Sequence, residues 1–416
     1  MDNIPKHDAF AGLKVKDFRL FLSFRFFMTI AIQMQSIIVG WQVYELTKDP
    51  LSLGLIGLTE AIPFIAVALY AGHVADRFNR KRIIVWFDLL FLCGTGALLW
   101  FTLHHTSLTG TIGILPIYLV VAVSGIARAF IYPSIIALMA QMVPRELYAN
   151  SSTWNSTIWH IAAITGPAIG GLVYGFFGVK IAYTTVIFFM VLSLFLLGFV
   201  KKYLAPPVIK DESLIQRLSS GIRFVFKNQI LLGSMSLDMF AVLFGGAVAM
   251  LPVFAAEVLK VGPQGLGFLR SAPMVGAVIM SLVIAYRPPL ANAGKYLMIG
   301  IAGFGISIIF FALSRNFYLS LGLLMLSGMF DNISVIIRAT TMQLITPDEM
   351  RGRVASVNSI FIGSSNEIGS FESGVAARLM GLIPSVIFGG TMTLLIVGLT
   401  AKFAPLLRRL NLKSLK

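Results

Sequence analysis

Charged side chains recur within long apolar segments of this chain, and they are the residues best suited to chemistry. A charge inside a bilayer is costly, so an ionisable residue there is by default a candidate for ligand or proton binding. Three acids of this kind, Glu60, Asp238 and Asp331, are candidate proton carriers. Buried ion pairs are the alternative, and Asp331 and Arg338, which share one helix face, fit either interpretation. The other charges of this class are Arg25, Asp88, Arg128, Arg270, Glu367, Glu372 and Arg378.

The elements that must position these charges are long apolar segments. The 416 residues are 57% hydrophobic and only 12% charged, and the mean hydropathy is +0.85. A soluble surface needs more charges, whereas apolar runs of about 20 residues are typical of transmembrane helices. We therefore predict an all-α integral membrane protein. The predicted spans are 19–43, 51–74, 83–103, 113–142, 152–177, 180–200, 229–256, 264–286, 295–314, 317–343, 355–380 and 384–405.

The net charge of +15 is divided unevenly between the two sides of the predicted membrane. Basic residues concentrate in the termini and on the side of residues 72–82, and the opposite side keeps Lys48, Lys180, Lys260 and Arg315. Because basic loops stay in the cytoplasm, we predict that both termini are cytoplasmic. A basic membrane face suits anionic lipid headgroups, and its sidedness argues against nucleic acid as a partner.

The loop between the second and third spans carries the most specific motif, G-x-x-x-D-R-x-x-R-K. Its defining residues are Gly72, Asp76, Arg77, Arg80 and Lys81. The motif closely resembles the signature loop of the major facilitator superfamily. That resemblance implies that the loop contacts other helix ends, with Asp76 near residues 356–358, and holds the cytoplasmic side shut. A solvated loop that only sets the topology is the alternative.

The fifth span contains a second motif, made of Gly166, Pro167, Gly170 and Gly171. Small residues let membrane helices approach closely, and proline permits a kink. The motif resembles the antiporter motif of facilitator exporters, although Ala162 stands where the fuller motif has a glycine. The resemblance implies a hinge packed against the eighth span and favours export over import. Ordinary glycine-rich packing is the alternative.

A polar interruption at 201–228 divides the chain into two related halves. Its second part has the pattern of an amphipathic helix on the cytoplasmic surface. Ser124-Gly125 recurs as Ser327-Gly328, and Gly171 recurs as Gly374 at the same offset. We therefore predict a six-helix bundle at 1–200, a cytoplasmic linker at 201–228 and a six-helix bundle at 229–416. Two such pseudo-repeats with a binding site between them form the major facilitator fold.

The resemblance also implies which residues face the transport pathway, because the first, fourth, seventh and tenth helices line the cavity in that superfamily. The implied substrate-cavity candidates are Arg25, Gln33, Gln35, Arg128, Asn332 and Arg338. The proton-coupling candidates are Glu60, Asp238 and Asp331.

Two further stretches, 41–55 and 347–354, resemble the branch that includes enterobactin exporters and macrolide-efflux-type drug:proton antiporters. This implies a proton-coupled exporter of a small amphipathic molecule that works by alternating access, as a monomer in the bacterial plasma membrane. The sequence contains no phosphate-binding loop, H-E-x-x-H motif or Cys/His cluster with metal spacing, so we predict no enzyme activity and no cofactor. An importer, facilitator or lysolipid transporter on the same fold, or a transport-inactive receptor, is the alternative.

Overall fold

The structure is a computed structural model that describes residues 8–201, 203, 214–289 and 291–415. The first half of the chain forms α1 (Lys16–Thr47), α2 (Pro50–Arg77), α3 (Arg80–Ile112) and α4 (Leu115–Met142). A helical run, Tyr148–Gly198, follows and breaks at Gly178, whose φ of 81° and ψ of 172° suit only glycine. This break divides the run into α5 (148–177) and α6 (179–198), close to the predicted spans.

The second half begins with α7 (Leu214–Lys227) and α8 (Gln229–Phe244). Beyond α8 the chain continues in three short turns, Ala247–Met250, Leu251–Val253 and the π-helical Phe254–Val258. The span predicted at 229–256 is present as one apolar stretch, Gln229–Val258, but its helix is interrupted because the chain leaves helical geometry at Gly245 and Gly246. The remaining helices are α9 (Gly262–Tyr286), α10 (Ala293–Leu313), α11 (Phe317–Ile345), α12 (Arg351–Met380), α13 (Leu382–Phe403) and α14 (Pro405–Arg408).

Ten stretches of the described chain are long and apolar enough to cross a membrane. One of them, Arg145–Gly198, contains both α5 and α6. Helix α12 is not among them because its serines, asparagines, glycines and charges make it less apolar, although its 30 residues are long enough to span. Its neighbours in the fold are α2 and α8. The helices therefore agree with the predicted twelve-span fold.

The membrane helices pack as two bundles that meet at two crossings. Helix α1 lies along the α5–α6 run, and α4 packs against α2 and α3. In the second bundle α11 packs against α9 and α10, while α13 packs against α8 and α10. Helix α2 crosses α12 and α5 crosses α9, and these two crossings join the bundles.

Glycines allow both crossings. A Cβ added to Gly171 on α5 would lie 2.4 Å from the Pro263 carbonyl oxygen and 2.9 Å from the Gly267 Cα. A Cβ added to Gly374 on α12 would lie 2.8 Å from the Gly54 Cα. Real Cβ atoms do not approach backbone so closely, so the two crossings need glycine at these positions. Gly171 and Gly374 are equivalent in the internal repeat.

Candidate transport cavity and its two ends

A central cavity of about 480 Å³ lies between the two bundles. Both halves contribute polar and charged side chains to its wall. The first half provides Gln33, Gln35, Glu60 and Arg128, and the second provides Arg270, Asp331 and Glu367. One predicted pair of repeat-related residues lines it from both halves, since Ser124 and Ser327 both face the cavity. A cavity of this volume can hold a small molecule.

The first-half charges form the cavity pair, an ion pair between Glu60 on α2 and Arg128 on α4. Helix α4 approaches α2 closely, because a Cβ on Gly125 would lie 2.4 Å from the Glu60 carbonyl oxygen. Arg128 is one turn from Gly125 and thus reaches the Glu60 carboxylate. Its Nε also donates to the Tyr132 hydroxyl at 3.3 Å. The Arg128 and Glu60 side chains are 28% and 20% exposed, so the pair is partly open to the cavity space.

Two second-half charges on the cavity, Arg270 on α9 and Glu367 on α12, belong to the predicted class of membrane charges but were not among the substrate-cavity or proton-coupling candidates. The Arg270 Nη1 donates to the Val248 carbonyl oxygen at 3.1 Å. Glu367 interacts electrostatically with both Arg128 and Arg270. Their charge within apolar spans was the available signal. Only the first, fourth, seventh and tenth membrane helices were predicted to line the cavity. That prediction therefore did not include α9 and α12, which are the eighth and eleventh membrane helices.

A second ion pair, the sealed pair, joins Asp238 on α8 to Arg338 on α11. Their side chains are only 6% and 8% exposed, and the Ser334 hydroxyl donates to Asp238 Oδ1 at 3.3 Å. Neither residue lines the cavity, so the structure gives no support for the predicted place of Arg338 in its wall. Asp331 does line it, and Asp331 interacts electrostatically with both members of the pair.

Two other cavity candidates also lie elsewhere. The Asn332 amide donates to the Ala277 carbonyl oxygen at 2.9 Å and to the Ser281 hydroxyl at 2.8 Å, so it packs α11 against α9. Arg25 is 8% exposed and is not part of the cavity wall. Its Nε and Nη1 are buried without a hydrogen-bond partner among the described residues. Packing thus places these two residues away from the cavity wall, and their predicted part in substrate binding stays a prediction.

Gln33 and Gln35 do line the cavity, and their part in substrate binding stays a prediction. The Gln35 Oε1 accepts a hydrogen bond of 2.5 Å from the Thr95 hydroxyl of α3. Among the side chains that the structure describes, no group of His, Cys, Asp and Glu is arranged to hold a metal ion.

The signature loop makes contacts within its own half. Arg80 Nε donates to the Ala75 carbonyl oxygen at 3.2 Å, and its Nη1 donates to that of Ala137 at 3.5 Å. Lys81 Nζ donates to the carbonyl oxygens of Gly198, at 3.1 Å, and Val200. These carbonyls follow the end of α6, where a cation is favoured. Gly72 has open space where a Cβ would lie.

The predicted contact of Asp76 with residues 356–358 stays a prediction. The side chains of Asp76 and Ser356 lie outside the described part of the structure. The backbone places Asp76 in the last turn of α2, next to Arg77, the last residue of that helix.

At the opposite end of the bundles, the two halves are held together by polar contacts. The Tyr44 hydroxyl of α1 donates to Glu257 in the π-helical turn after α8. Arg378 of α12 lies 3.5 Å from the Asp49 carboxylate, which precedes α2. The glycine contacts of Gly54 and Gly171 lie near the same end. These contacts close the cavity toward the end remote from the signature loop.

The helix-five motif provides close approaches of α5 to its neighbours. A Cβ on Gly166 would lie 2.7 Å from the Gln33 Cβ, and one on Gly170 would lie 3.1 Å from the Met34 Cα. Gly171 faces α9, the eighth membrane helix, as the motif predicts. Ser271 of α9 adds a hydrogen bond of 2.6 Å to the Ile164 carbonyl oxygen of α5. The motif therefore lets α5 pack against α1 and α9 at once; its hinge role stays a prediction.

Comparison with known proteins gives one family and a set of transporters. The model of a family described as transmembrane secretion effector matches residues 7–414. The enterobactin exporter EntS of Shigella flexneri is 24% identical over 388 residues, covering 92% of this chain and 90% of the relative. The enterobactin exporter EntS of Escherichia coli O157:H7 (strain EC4115 / EHEC) is 25% identical with the same coverage.

Solved transporter structures share the fold at low identity. A POT family transporter in complex with 5-aminolevulinic acid superposes with a TM-score of 0.74 at 11% identity, covering 94% of this chain and 96% of that one. A bacterial homologue of the iron transporter ferroportin, in an inward-facing state, has a TM-score of 0.71 at 16% identity, covering 94% and 98%. The likeness confirms the predicted two-bundle fold.

Proposed function

Because the chain belongs to the transmembrane secretion effector family, we propose that it is a secondary transporter that exports a small amphipathic molecule in exchange for protons. The observation that carries the proposal is the cavity between the halves, which is lined by charges from both and closed at one end. Its curated relatives are named as enterobactin exporters. For this chain the substrate is proposed only as a small amphipathic molecule, drug-like or siderophore-like.

The proposed orientation places the signature loop and both termini in the cytoplasm of a bacterial cell, with the protein acting as a monomer. The basic loops support this sidedness. In this orientation the contacts of Tyr44 with Glu257 and of Asp49 with Arg378 close the periplasmic side. Helix α7 exposes Ile222 and Phe226 next to Arg223 and Lys227, which suits a surface that carries anionic lipids.

The proposed transport cycle rocks residues 1–200 against residues 229–416, with 201–228 as the connection. The two glycine crossings supply smooth contact surfaces at which the bundles can tilt. Opening the periplasmic side would separate Tyr44 from Glu257 and Asp49 from Arg378. Closing the cytoplasmic side would bring the signature loop, with Asp76, onto the other half. Gly72 has the open space that such an approach requires.

The cavity pair offers a physical route for proton coupling. While Glu60 is ionised, its carboxylate neutralises Arg128 within one half. Protonation of Glu60 removes that negative charge, so the pair becomes net positive and is attracted as a whole to Glu367 of the other half. A proton on Glu60 would therefore change the attraction between the halves. Asp331, which lies between the cavity and the sealed pair, is the second proton-binding candidate, and Asp238 is the third.

The test uses purified protein in liposomes that contain the pH dye pyranine. A panel of amphipathic amines, acids and zwitterions, including ethidium and L-tryptophan, is first screened for binding by thermal shift. With an outward-directed gradient of the best binder, a proton-coupled exporter moves protons in the opposite direction, and Glu60→Gln abolishes this flux. If the flux of the binder does not depend on the proton gradient, the protein is a facilitator. If protons move in the same direction as the binder, the protein is an importer.

A further inference from the structure

The two halves differ in whether the charges that line the cavity form an ion pair. In the first half, Glu60 and Arg128 neutralise each other. In the second half, Arg270 has one hydrogen bond, to the Val248 carbonyl oxygen, and Glu367 has none among the described residues. Neither residue forms an ion pair within 4.0 Å in the described part of the chain. Asp331 also lines the cavity without such an ion pair, but its electrostatic partners are Asp238 and Arg338 of the sealed pair. Arg270 and Glu367 are therefore the open cation and the open anion of the second half that interact with each other.

Both open charges face the cavity space. They line its wall, and neither contributes a buried polar atom without a partner, so their unbonded nitrogens and oxygens reach the cavity. Gly57 of α2 makes room for the acid, because a Cβ there would lie 3.3 Å from Glu367 Oε2. The Glu367 carboxylate therefore lies in space left by the absent side chain of Gly57, at the crossing of α2 and α12.

The two charges stand on different flanks of the cavity. Arg270 is on α9, which crosses α5, and Glu367 is on α12, which crosses α2. They interact electrostatically across a gap too wide for a direct ion pair. An open guanidinium in a low-dielectric cavity binds carboxylate or phosphate strongly, and an open carboxylate binds ammonium. A ligand that carries both charges would satisfy both residues at once.

We infer that the transported molecule is a zwitterion, whose acidic group binds Arg270 and whose ammonium group binds Glu367. This inference rests on the proposed function, since it names the substrate class of the same cavity. A singly charged ligand would leave one of the two cavity charges without a partner, which costs binding energy. The zwitterion can be a free amphipathic metabolite or a lysolipid with a phosphoethanolamine headgroup, because both carry an acid and an ammonium group.

The test compares ligands that differ only in charge. L-Tryptophan is a zwitterion, L-tryptophanamide is a cation and N-acetyl-L-tryptophan is an anion. Hexanoyl-lysophosphatidylethanolamine represents the lipid source. Binding to the purified protein in nanodiscs is measured by saturation-transfer NMR and titration without any ion gradient. We expect at least one zwitterion to bind roughly tenfold or more tightly than the singly charged probes, since each of those loses one charged contact.

Variants of the two cavity residues test which charge of the ligand each residue binds. Arg270→Gln should remove the preference for the zwitterion over the cation, and Glu367→Gln should remove the preference over the anion. Arg315→Gln and Glu349→Gln, which change exposed charges outside the cavity, are the matched controls and should retain both preferences. Equal binding of singly charged and zwitterionic probes, or preferences that survive the cavity variants, would overturn the inference.

A second measurement needs no ligand. If Arg270 and Glu367 are open charges, each Gln variant should leave the thermal midpoint unchanged or raise it, and the double variant should be additive. If both single variants lower the midpoint and the double variant loses less than their sum, the residues pair with each other and the inference is wrong. Zwitterion binding without proton-coupled flux would contradict only the proposed transport mechanism. Proton-coupled flux of singly charged probes would contradict only the inference that the substrate is a zwitterion.

Discussion

The cavity pair and the sealed pair contain the same chemical groups in different surroundings. Glu60 and Arg128 are 20% and 28% exposed at the cavity, whereas Asp238 and Arg338 are 6% and 8% exposed between α8 and α11. Both pairs join two helices of one half. Only the cavity pair lies within electrostatic range of a charge on the other half, because Glu367 interacts with Arg128. We propose that exposure and this neighbour distinguish a pair that responds to protons from one that holds a bundle together.

The comparison extends to the internal repeat. The offset that places Ser124 over Ser327 also places Arg128 over Asp331, and both of these charged residues line the cavity. Equivalent positions thus carry opposite charges. The two halves share a backbone plan, but they divide the electrostatic roles unequally.

Breaking the sealed pair should have the largest effect on stability. Asp238→Asn leaves Arg338 buried without a carboxylate, and loss of one partner of a buried pair costs about 3–5 kcal/mol. We expect poor expression and a strongly lowered thermal midpoint for the purified protein in detergent.

The matched control is Asp331→Asn, which changes a cavity-lining acid that forms no ion pair within 4.0 Å among the described residues. Its midpoint should stay near that of the unmodified protein. If the two variants are equally stable, the sealed pair does not have the structural role assigned to it.

Breaking the cavity pair should instead affect transport. Glu60→Gln cannot exchange a proton, and we expect the proton flux driven by the best binder to fall at least roughly tenfold. Stability should change by less than about 1 kcal/mol, because the pair is partly solvated. Flux is measured in pyranine-loaded liposomes, with Glu349→Gln as the control for an exposed acid. Undiminished proton flux would show that the cavity pair, like the sealed pair, has no role in proton coupling.

The crossing of α5 and α9 should tune which end of the cavity is open. Gly171→Ala places a Cβ 2.4 Å from the Pro263 carbonyl oxygen, and such overpacking costs about 1–3 kcal/mol. This cost destabilises the conformation in which α5 and α9 are in contact. The end of the cavity remote from the signature loop should therefore open more often. The readout is labelling of Ser36→Cys in a Cys93→Ser background by a membrane-impermeant thiol reagent added to that side.

Gly322→Ala is the control for the crossing, because a Cβ there meets no heavy atom within 4 Å. It should leave the labelling rate at its original value. Equal rates for the Gly171 and Gly322 variants would contradict a role of this crossing in closure.

The smallest effect is expected at the signature loop. Lys81→Gln loses an ammonium that donates to the Gly198 and Val200 carbonyl oxygens, a cation at a helix end worth about 0.3–1 kcal/mol. The thermal midpoint should fall slightly, and Arg82→Gln, an exposed neighbour, should not change it. If Lys81→Gln instead reduces flux without lowering the midpoint, the lysine acts between the halves and not within one.

The helices could be predicted well because their signals are local. Apolar length predicted the spans, and the break between 177 and 180 appears at Gly178. The span at 355–380 was predicted despite its charges and is present as α12. The interruption at Gly245 and Gly246 was missed, because apolar residues continue on both sides of it.

The cavity wall was predicted only in part. Gln33, Gln35 and Arg128 line it as expected, whereas Asn332 and Arg338 do not. A membrane helix is apolar on most of its surface, so its own pattern gives little information on which face meets the cavity. That choice depends on how the helices cross, and the crossings also brought Glu367 to the cavity.

The sequence by itself determined which residues carry charge within the membrane, how the chain divides into spans, and where glycine repeats in the two halves. Only the tertiary structure decided which charges neutralise each other and which stay open to the cavity. Glu60 and Arg128 are 68 positions apart in the chain, and nothing local links them. The energy of a charge in a low-dielectric interior depends on the partner that packing brings within a few ångströms, and that partner comes from another helix.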